Sequence, residues 1–252
     1  MGFLKAALLA LGLLCFGFIG FVGALLALML SPLFPGLRFY SNSFFLEPFG
    51  WFARRVVGVK LTILNRERIH ESRPAIFIGN HQSGLDLAVI GQCCPVRSVI
   101  VGKKELKAIP VFGWFFWIAG NLLIDRSNKS SAKAQIEKVR QKLSERNLNL
   151  AIFPEGTRSK TGEILPFKRG AFYLAVSTGY PIIPVVCSNL QGKGIWERFQ
   201  LKGGNVVLSV LPPIETKGLN LSDLSVFSDQ VRGKMVEEYA RVSALAEEMD
   251  LR

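Results

Sequence analysis

The sequence predicts an α/β layered domain, with a central, mostly parallel or mixed sheet flanked by helices. An N-terminal membrane-associated helical segment precedes it. Three observations lead there. No charged residue occurs between Lys5 and Arg38. From Val59 onward, short apolar runs rich in Val and Ile alternate with helical patterns, as strands and helices do in layered α/β proteins. No internal repeat or low-complexity linker divides the chain. The simplest organisation is an anchor and interfacial helix over 1–58 and a catalytic body over 59–252.

As a helix, Ala6 to Leu30 would measure roughly 37 Å at about 1.5 Å per residue. A hydrocarbon layer is about 30 Å thick, so this segment is long enough to span it or to lie within it. It is too long for the apolar stretch of a cleaved signal peptide, about 7–15 residues. Gly12, Gly17, Gly20 and Gly23 recur along it and permit close helix packing or a bent hairpin in one leaflet. The net charge of +12 suits nucleic acid or an anionic membrane face. No nucleic-acid recognition motif appears, so the membrane is the expected partner. Arg54, Arg55 and Lys60 follow the apolar run and only Lys5 precedes it. That asymmetry predicts a body facing the cytoplasm, at the inner membrane if the source is bacterial. The four cysteines show neither zinc spacing nor a disulfide framework and are expected to be reduced.

Residues 38–58 predict an amphipathic interfacial helix or pair of turns broken near Pro48, or equally a helix packed on the body. Strands are expected at Lys60–Leu64, Ala75–Ile78, Ser98–Val101, Leu122–Ile124, Leu150–Phe153, Ile182–Cys187 and Val206–Leu211. Helices are expected at Leu85–Cys93, Lys104–Ala119 (bent at Pro110), Ser130–Asn147, Gly170–Ser177 and Asp229–Glu248. Two prolines bracket Pro181-Ile182-Ile183-Pro184, which predicts a sheet edge or a shaped wall.

Of two histidines, His70 sits in a polar stretch and reads as a solvated turn residue. His81 follows the apolar run Ala75–Gly79, and ligands gather outside the carboxyl ends of such strands. Along an unbroken helix, the five-residue step from His81 to Asp86 would leave the two side chains about 140° apart. If the helix begins near Ser83 instead, Asp86 lies in its first turn and can accept the Nδ1 proton of His81, leaving Nε2 to take up another. Ser83-x-x-Asp86 is equally a capping box, which alone would account for Asp86. Phe153-Pro154-Glu155-Gly156-Thr157-Arg158-Ser159 follows another apolar strand. Gly156 there permits close backbone approach, and Arg158 offers a forked donor for phosphate or carboxylate. Gly120–Arg126 ends a third strand, with Asp125 and Arg126 readable as a surface ion pair. Serine-hydrolase elbow, phosphate-binding loop and zinc-helix motifs are all missing from the sequence.

Four ordered blocks resemble the 1-acylglycerol-3-phosphate (lysophosphatidic acid) acyltransferases of the glycerolipid acyltransferase family. They are Asn80, His81 and Asp86; Gly120 to Arg126; Phe153 to Ser159; and Pro181 to Pro184. Val101 to Leu106 resembles the basic segment between the first two. Leu123 and Tyr180 depart from the common pattern, where an aromatic and an aliphatic residue are usual. The resemblance implies an acyltransferase in which His81 is the general base and Asp86 orients it. Arg126, Arg158 and Lys103 would hold the acceptor phosphate. Asn80, Glu155, Gly156 and Thr157 would shape the substrate site, Glu155 by ordering the basic cluster. It further implies a lysophosphatidic acid acceptor, an acyl-CoA or acyl-carrier-protein donor, and no metal or other cofactor, because the thioester is already activated. Two other readings keep the same residues. One changes the acceptor to glycerol-3-phosphate or another lysophospholipid; the other is a non-catalytic protein that binds the membrane surface. Trp114-Phe115-Phe116-Trp117 would line an acyl slot, lie at the interface, or pack in the core.

Overall fold

A computed structural model describes residues 2–34, 36–72, 74–125, 132–191 and 203–252. Seven strands form one sheet: β1 (Val59–Leu64), β2 (Ile76–Gly79), β3 (Ser98–Lys103), β4 (Leu122–Ile124), β5 (Asn149–Ile152), β6 (Ile182–Cys187) and β7 (Gly204–Val210). Their order is β1-β7-β6-β2-β5-β3-β4, and every pairing is parallel except β6 with β7. All seven strands lie where the apolar runs predict them. β2 and β6 are buried along their whole length. A strand shielded on both faces needs apolar residues throughout, which is why these two read as unbroken Ile- and Val-rich runs.

Alternation along the strands feeds two cores. Phe77, Ile183, Val185, Val206 and Leu208 face α2 (Ser41–Val57), α3 (Asp86–Val89) and α4 (Phe112–Ile118). Ile76, Ile78, Ile182, Val186 and Val207 face α5 (Ala132–Arg146), α6 (Gly170–Thr178) and α7 (Leu224–Leu251). Each helix lies at a predicted location. The expected bend at Pro110 appears as a 3₁₀ turn, Lys104–Ala108, followed by α4.

Two expectations about prolines are corrected. α2 runs through Pro48 without a break. An interior proline costs about 3 kcal/mol, but Phe45, Leu46, Phe49, Ala53 and Val57 are all buried in the core. Their burial at about 1.5–3 kcal/mol each outweighs it. α2 is thus a helix packed on the body. Nor is β6 an edge; it is the third of seven strands. Pro184 keeps its register with Ile78 of β2. On the other side it needs only its carbonyl, which accepts from Leu211 beyond the end of β7. The missing N–H therefore falls in the gap between the β7 ladder, which ends at Val210, and the bridge of Ile182 with Ile214.

α1 (Gly2–Met29) is one continuous helix rather than a hairpin. It packs along α2 and α4, and its glycines set the closeness. A Cβ on Gly12 would strike the Phe52 ring, and one on Gly20 would come within 2.6 Å of Phe45. Gly17 rests on Val111, whereas Gly23 faces open space. Leu4, Leu8, Leu11, Leu14, Phe18 and Ile19 remain exposed on the outer side. Ala10–Met29 is long and apolar enough to cross a membrane, with a mean hydropathy of 2.5.

A buried polar node ties α2 to the sheet. The Asn42 amide donates to Ser98 O (2.8 Å) and to Asn121 Oδ1 (2.7 Å), and Asn121 Nδ2 donates back to Asn42 Oδ1 at 2.9 Å. Asn121 Oδ1 also accepts from the Ile100 N–H. Asn121→Leu leaves the Ile100 N–H and the Asn42 amide short of partners in a dry site. It is expected to destabilise the fold by about 1–3 kcal/mol, read as a lower melting temperature of the detergent-solubilised protein, with Asn121→Asp less damaging than Leu.

Candidate active site

β2 and β5 are parallel neighbours, with Ile78 opposite Ile152, so the loops leaving their carboxyl ends lie side by side. The first loop carries His81. The imidazole is 24% exposed and stacks on Phe153, the first residue after β5, with centroids 4.2 Å apart and planes 13° from parallel. Its backbone is held from two directions: the His81 N–H donates to Glu155 Oε1 (2.7 Å), and Ser159 N–H donates to the His81 carbonyl (2.8 Å). The position of the base is set by the second loop.

Asp86 opens α3 and is almost completely buried. Its Oδ2 lies 2.5 Å from His81 Nδ1 and also accepts the N–H groups of Gln82 (2.8 Å) and Ser83 (3.0 Å). An oxygen already accepting two backbone donors is a carboxylate oxygen, so Nδ1 carries the proton and Nε2 is the nitrogen left for substrate. The Ser83 hydroxyl meanwhile accepts from Leu85 N–H. The Ser83-x-x-Asp86 capping box does not form, since α3 has Leu85 at its N-cap and no side-chain cap bond; Asp86 instead closes the turn before the helix and orients the imidazole. Asp86 Oδ1 is buried with no hydrogen-bond partner. A carboxylate satisfied on only one oxygen gains most when the imidazole beside it becomes cationic.

Asn80 does not face the cavity. It is buried and pairs reciprocally with Cys187, its amide donating to the Cys187 carbonyl (2.9 Å) and its carbonyl accepting the Cys187 N–H (2.8 Å). It pins the His81 loop to the end of β6. Glu155 is buried too. Its two oxygens take the N–H groups of His81 and Leu165 (3.0 Å) and not a cation, so the expected ordering of a basic cluster gives way to support of the His81 backbone. Burial pushes its carboxyl above the usual 4.5, opposed by those two N–H bonds and by His81. Gly156 has φ of 70°, and a Cβ there would approach the Lys168 side chain to 3.0 Å. Thr157 and Arg158 are exposed at the cavity mouth. Lys103, at the end of β3, lies 3.5 Å from Glu105. Arg126 lies outside the described residues. Its neighbour Asp125 pairs with Lys104.

A cavity of about 570 Å³ brings together His81, Asp86, Lys103, Gly156, Thr157 and Arg158. Its depth is apolar, walled by Leu46, Ile90, Ile100, Leu106, Phe112 and Phe116. Cys93 and Cys94 also line it, and burial pushes their thiols up to about 12 and about 11, so they are neutral wall atoms. The aromatic run divides among its possible roles. Phe116 lines the cavity, Phe115 packs on Phe45 in the core, and Trp114 and Trp117 are exposed. Among the described residues no group of three or more His, Cys, Asp or Glu could hold a metal ion.

Sequence reasoning missed Phe153 as a stacking partner and Gln82 as a brace. The Gln82 amide donates to Ser188 O (3.1 Å), and its carbonyl accepts the Leu190 N–H (3.1 Å). The signal for Gln82 was its place inside the His81 block. Its partners lie more than a hundred residues on, beyond any local pattern.

An imidazole oriented by a buried carboxylate thus stands at the head of an apolar pocket, with cations at its mouth. The Acyltransferase family profile matches residues 60–188. The 1-acyl-sn-glycerol-3-phosphate acyltransferase of Haemophilus influenzae is 34% identical over 226 residues, covering 88% of this chain and 93% of that one. The Saccharomyces cerevisiae protein of the same name is 31% identical over 242 residues, covering 93% and 76%. The crystal structure of the 1-acyl-sn-glycerophosphate (LPA) acyltransferase PlsC from Thermotoga maritima matches with a TM-score of 0.65 at 27% identity, covering 94% of this chain and 97% of that one. The chain belongs to the Acyltransferase family.

Because burial raises the Glu155 carboxyl in the folded state, its contribution to stability is greatest below its ordinary value of 4.5 and is lost as pH rises from there through the raised value. Denaturant unfolding is expected to show wild type losing stability across that window relative to Glu155→Gln, which lacks the ionisation. At neutral pH, Glu155→Gln turns one acceptor into a donor facing a backbone N–H. It should therefore lower kcat by displacing His81.

Proposed function

We propose that the chain transfers a fatty acyl group from an acyl thioester, acyl-CoA or acyl-carrier protein, to the sn-2 hydroxyl of 1-acylglycerol-3-phosphate, giving phosphatidic acid for phospholipid synthesis. The observation that carries this reading is the 2.5 Å contact of His81 Nδ1 with buried Asp86, at the head of an apolar cavity whose mouth holds Arg158 and Lys103. The names of the relatives support the acceptor.

In the reaction, His81 Nε2 takes the hydroxyl proton as the oxygen attacks the thioester carbonyl carbon. Asp86 stabilises the imidazolium that forms. The tetrahedral intermediate collapses, the carbon–sulfur bond breaks, and the proton passes from His81 to the departing thiolate. Ester and thiol are the products, and the enzyme returns to its starting state. Arg158 and Lys103, with Arg126, hold the acceptor phosphate, and the apolar walls take a fatty chain.

The N-terminal part, residues 1–58, seats the body of 59–252 in the membrane. The exposed apolar side of α1 is far larger than a water-facing surface carries. α4 supports the same seating, with α1 and exposed Trp114 and Trp117 on one side and the cavity on the other. Lipid would then reach the base without crossing water. The cationic flank Arg54, Arg55 and Lys60 favours a cytoplasmic body.

His81→Ala is expected to lower kcat by about 10²–10⁴-fold in an assay with labelled thioester and lysophosphatidic acid. Full activity in that variant would end the general-base assignment. The same assay with glycerol-3-phosphate and other lysophospholipids tests the acceptor, and transfer to those alone would change it. Arg158→Ala is expected to raise KM for the phosphorylated acceptor by about tenfold or more, the loss of a charged hydrogen bond, with little change in KM for the thioester.

A further inference from the structure

At the opposite end of the sheet from His81, where β3, β4 and β5 begin, four cations gather: Arg38 and Lys142 on the Phe39 ring, with Arg97 and Arg146 beside them. The Arg38 guanidinium lies 5.0 Å from the centre of the Phe39 ring and the Lys142 amine 5.6 Å from it. Lys142 Nζ donates to Gly120 O (2.7 Å), and a Cβ built on the same Gly120 would lie 3.7 Å from Arg38 Nε. Arg97 completes the group. Its Nη2 donates to Arg146 O (2.7 Å), one helical turn from Lys142, and its Nη1 lies 3.8 Å from the Cβ position of Gly36. Its backbone has φ of 56°, a left-handed conformation uncommon for a side chain of this size.

Among the described residues no carboxylate pairs with any of these four cations. Burial, together with the charges of Arg38 and Arg146, lowers the Lys142 amine to about 8, and no anion offsets them. Cations held together without a counter-charge repel one another and are attracted to a phosphate. An apolar surface adjoins the cluster: Leu33 is 74% exposed, Phe34 59% and Phe44 79%, continuing the outer side of α1.

We propose that Arg38, Arg97, Lys142 and Arg146 bind the phosphodiester headgroup of an anionic membrane lipid, distinct from the acceptor at the catalytic cavity. The exposed apolar residues beside them meet its acyl chains. The inference rests on the membrane seating of α1, since a lipid and not a soluble phosphate accounts for the greasy rim next to the cations.

The test is native mass spectrometry of the full chain in detergent, titrated separately with phosphatidylglycerol and with phosphatidylcholine of the same acyl chains. Arg38→Gln/Arg146→Gln removes two cations whose side chains make no hydrogen bond among the described residues. It is expected to weaken phosphatidylglycerol binding by about thirtyfold, about fivefold per cation near a membrane surface. Phosphatidylcholine binding, the melting temperature and acyl transfer in phosphatidylcholine micelles should stay at wild-type values. Arg146→Glu, altering a single exposed residue, should weaken phosphatidylglycerol binding in the same direction. Undiminished phosphatidylglycerol binding in both variants overturns the site, as does displacement of phosphatidylglycerol by inorganic phosphate at equal concentration. Wild type that binds phosphatidylcholine without preferring phosphatidylglycerol sinks the site alone. Wild type that binds neither lipid sinks the membrane seating and the site together.

Discussion

The parallel pairing of β2 with β5 on one side and β6 on the other is the constraint on which the site depends. With Ile78 opposite Ile152 and Gly79 opposite Val185, β2 and β5 end within a residue of each other and β6 runs two residues farther. The His81 loop can then be gripped by both neighbours: by Glu155 and Ser159 from beyond β5, and by Cys187 from the end of β6. A slip of one residue would exchange the two faces of β2, sending Phe77 to the α5–α7 side and Ile76 and Ile78 to the α2–α4 side. The hydrophobic pattern that builds two cores thus also fixes the His81 imidazole to its supports. Stability and the geometry of this site share one set of residues.

Asp86 illustrates how such a site tolerates a buried charge. Removing a carboxylate from water costs several kcal/mol even after the protein relaxes. Three donors converge on Oδ2, and hydrogen bonds to a charged group are worth about 1.5–3 kcal/mol each, so together they are of the same size as that penalty. Two of the donors are the backbone N–H groups of Gln82 and Ser83, in the turn that leads into α3. Asp86 therefore has a structural role that keeps it in place whether or not substrate is bound. The imidazole is the third donor, and its orientation follows from that turn.

Much of this was legible in the sequence because it is local. The central strands β2 and β6 are short runs whose burial demands apolar residues, and the His81–Asp86 step needs only the position of one helix start. What was not legible depends on residues far apart. Pro48 reads as a break until Phe45 and Phe49 are seen buried on either side of it. Pro184 reads as an edge until β7 is found to end just short of it. Glu155 reads as a partner for cations until its two oxygens are seen taken by His81 and Leu165. Asn42 and Asn121, 79 residues apart, carry no pattern that would have paired them.

The α1–α2–α4 layer joins the apolar N-terminal helix to the His81 cavity without a linker. Phe45 is in contact with the Phe115 ring, 4.5 Å between centroids, and with the α1 backbone at Gly20. Leu46, its neighbour on α2, lines the catalytic cavity. Phe116, beside Phe115 on α4, lines the same cavity from the other direction. Close packing leaves little slack in such a stack, because interiors are filled to the density of organic crystals. The glycines of α1 therefore do more than let a helix approach. They set how near the exposed apolar surface of α1 lies to the pocket.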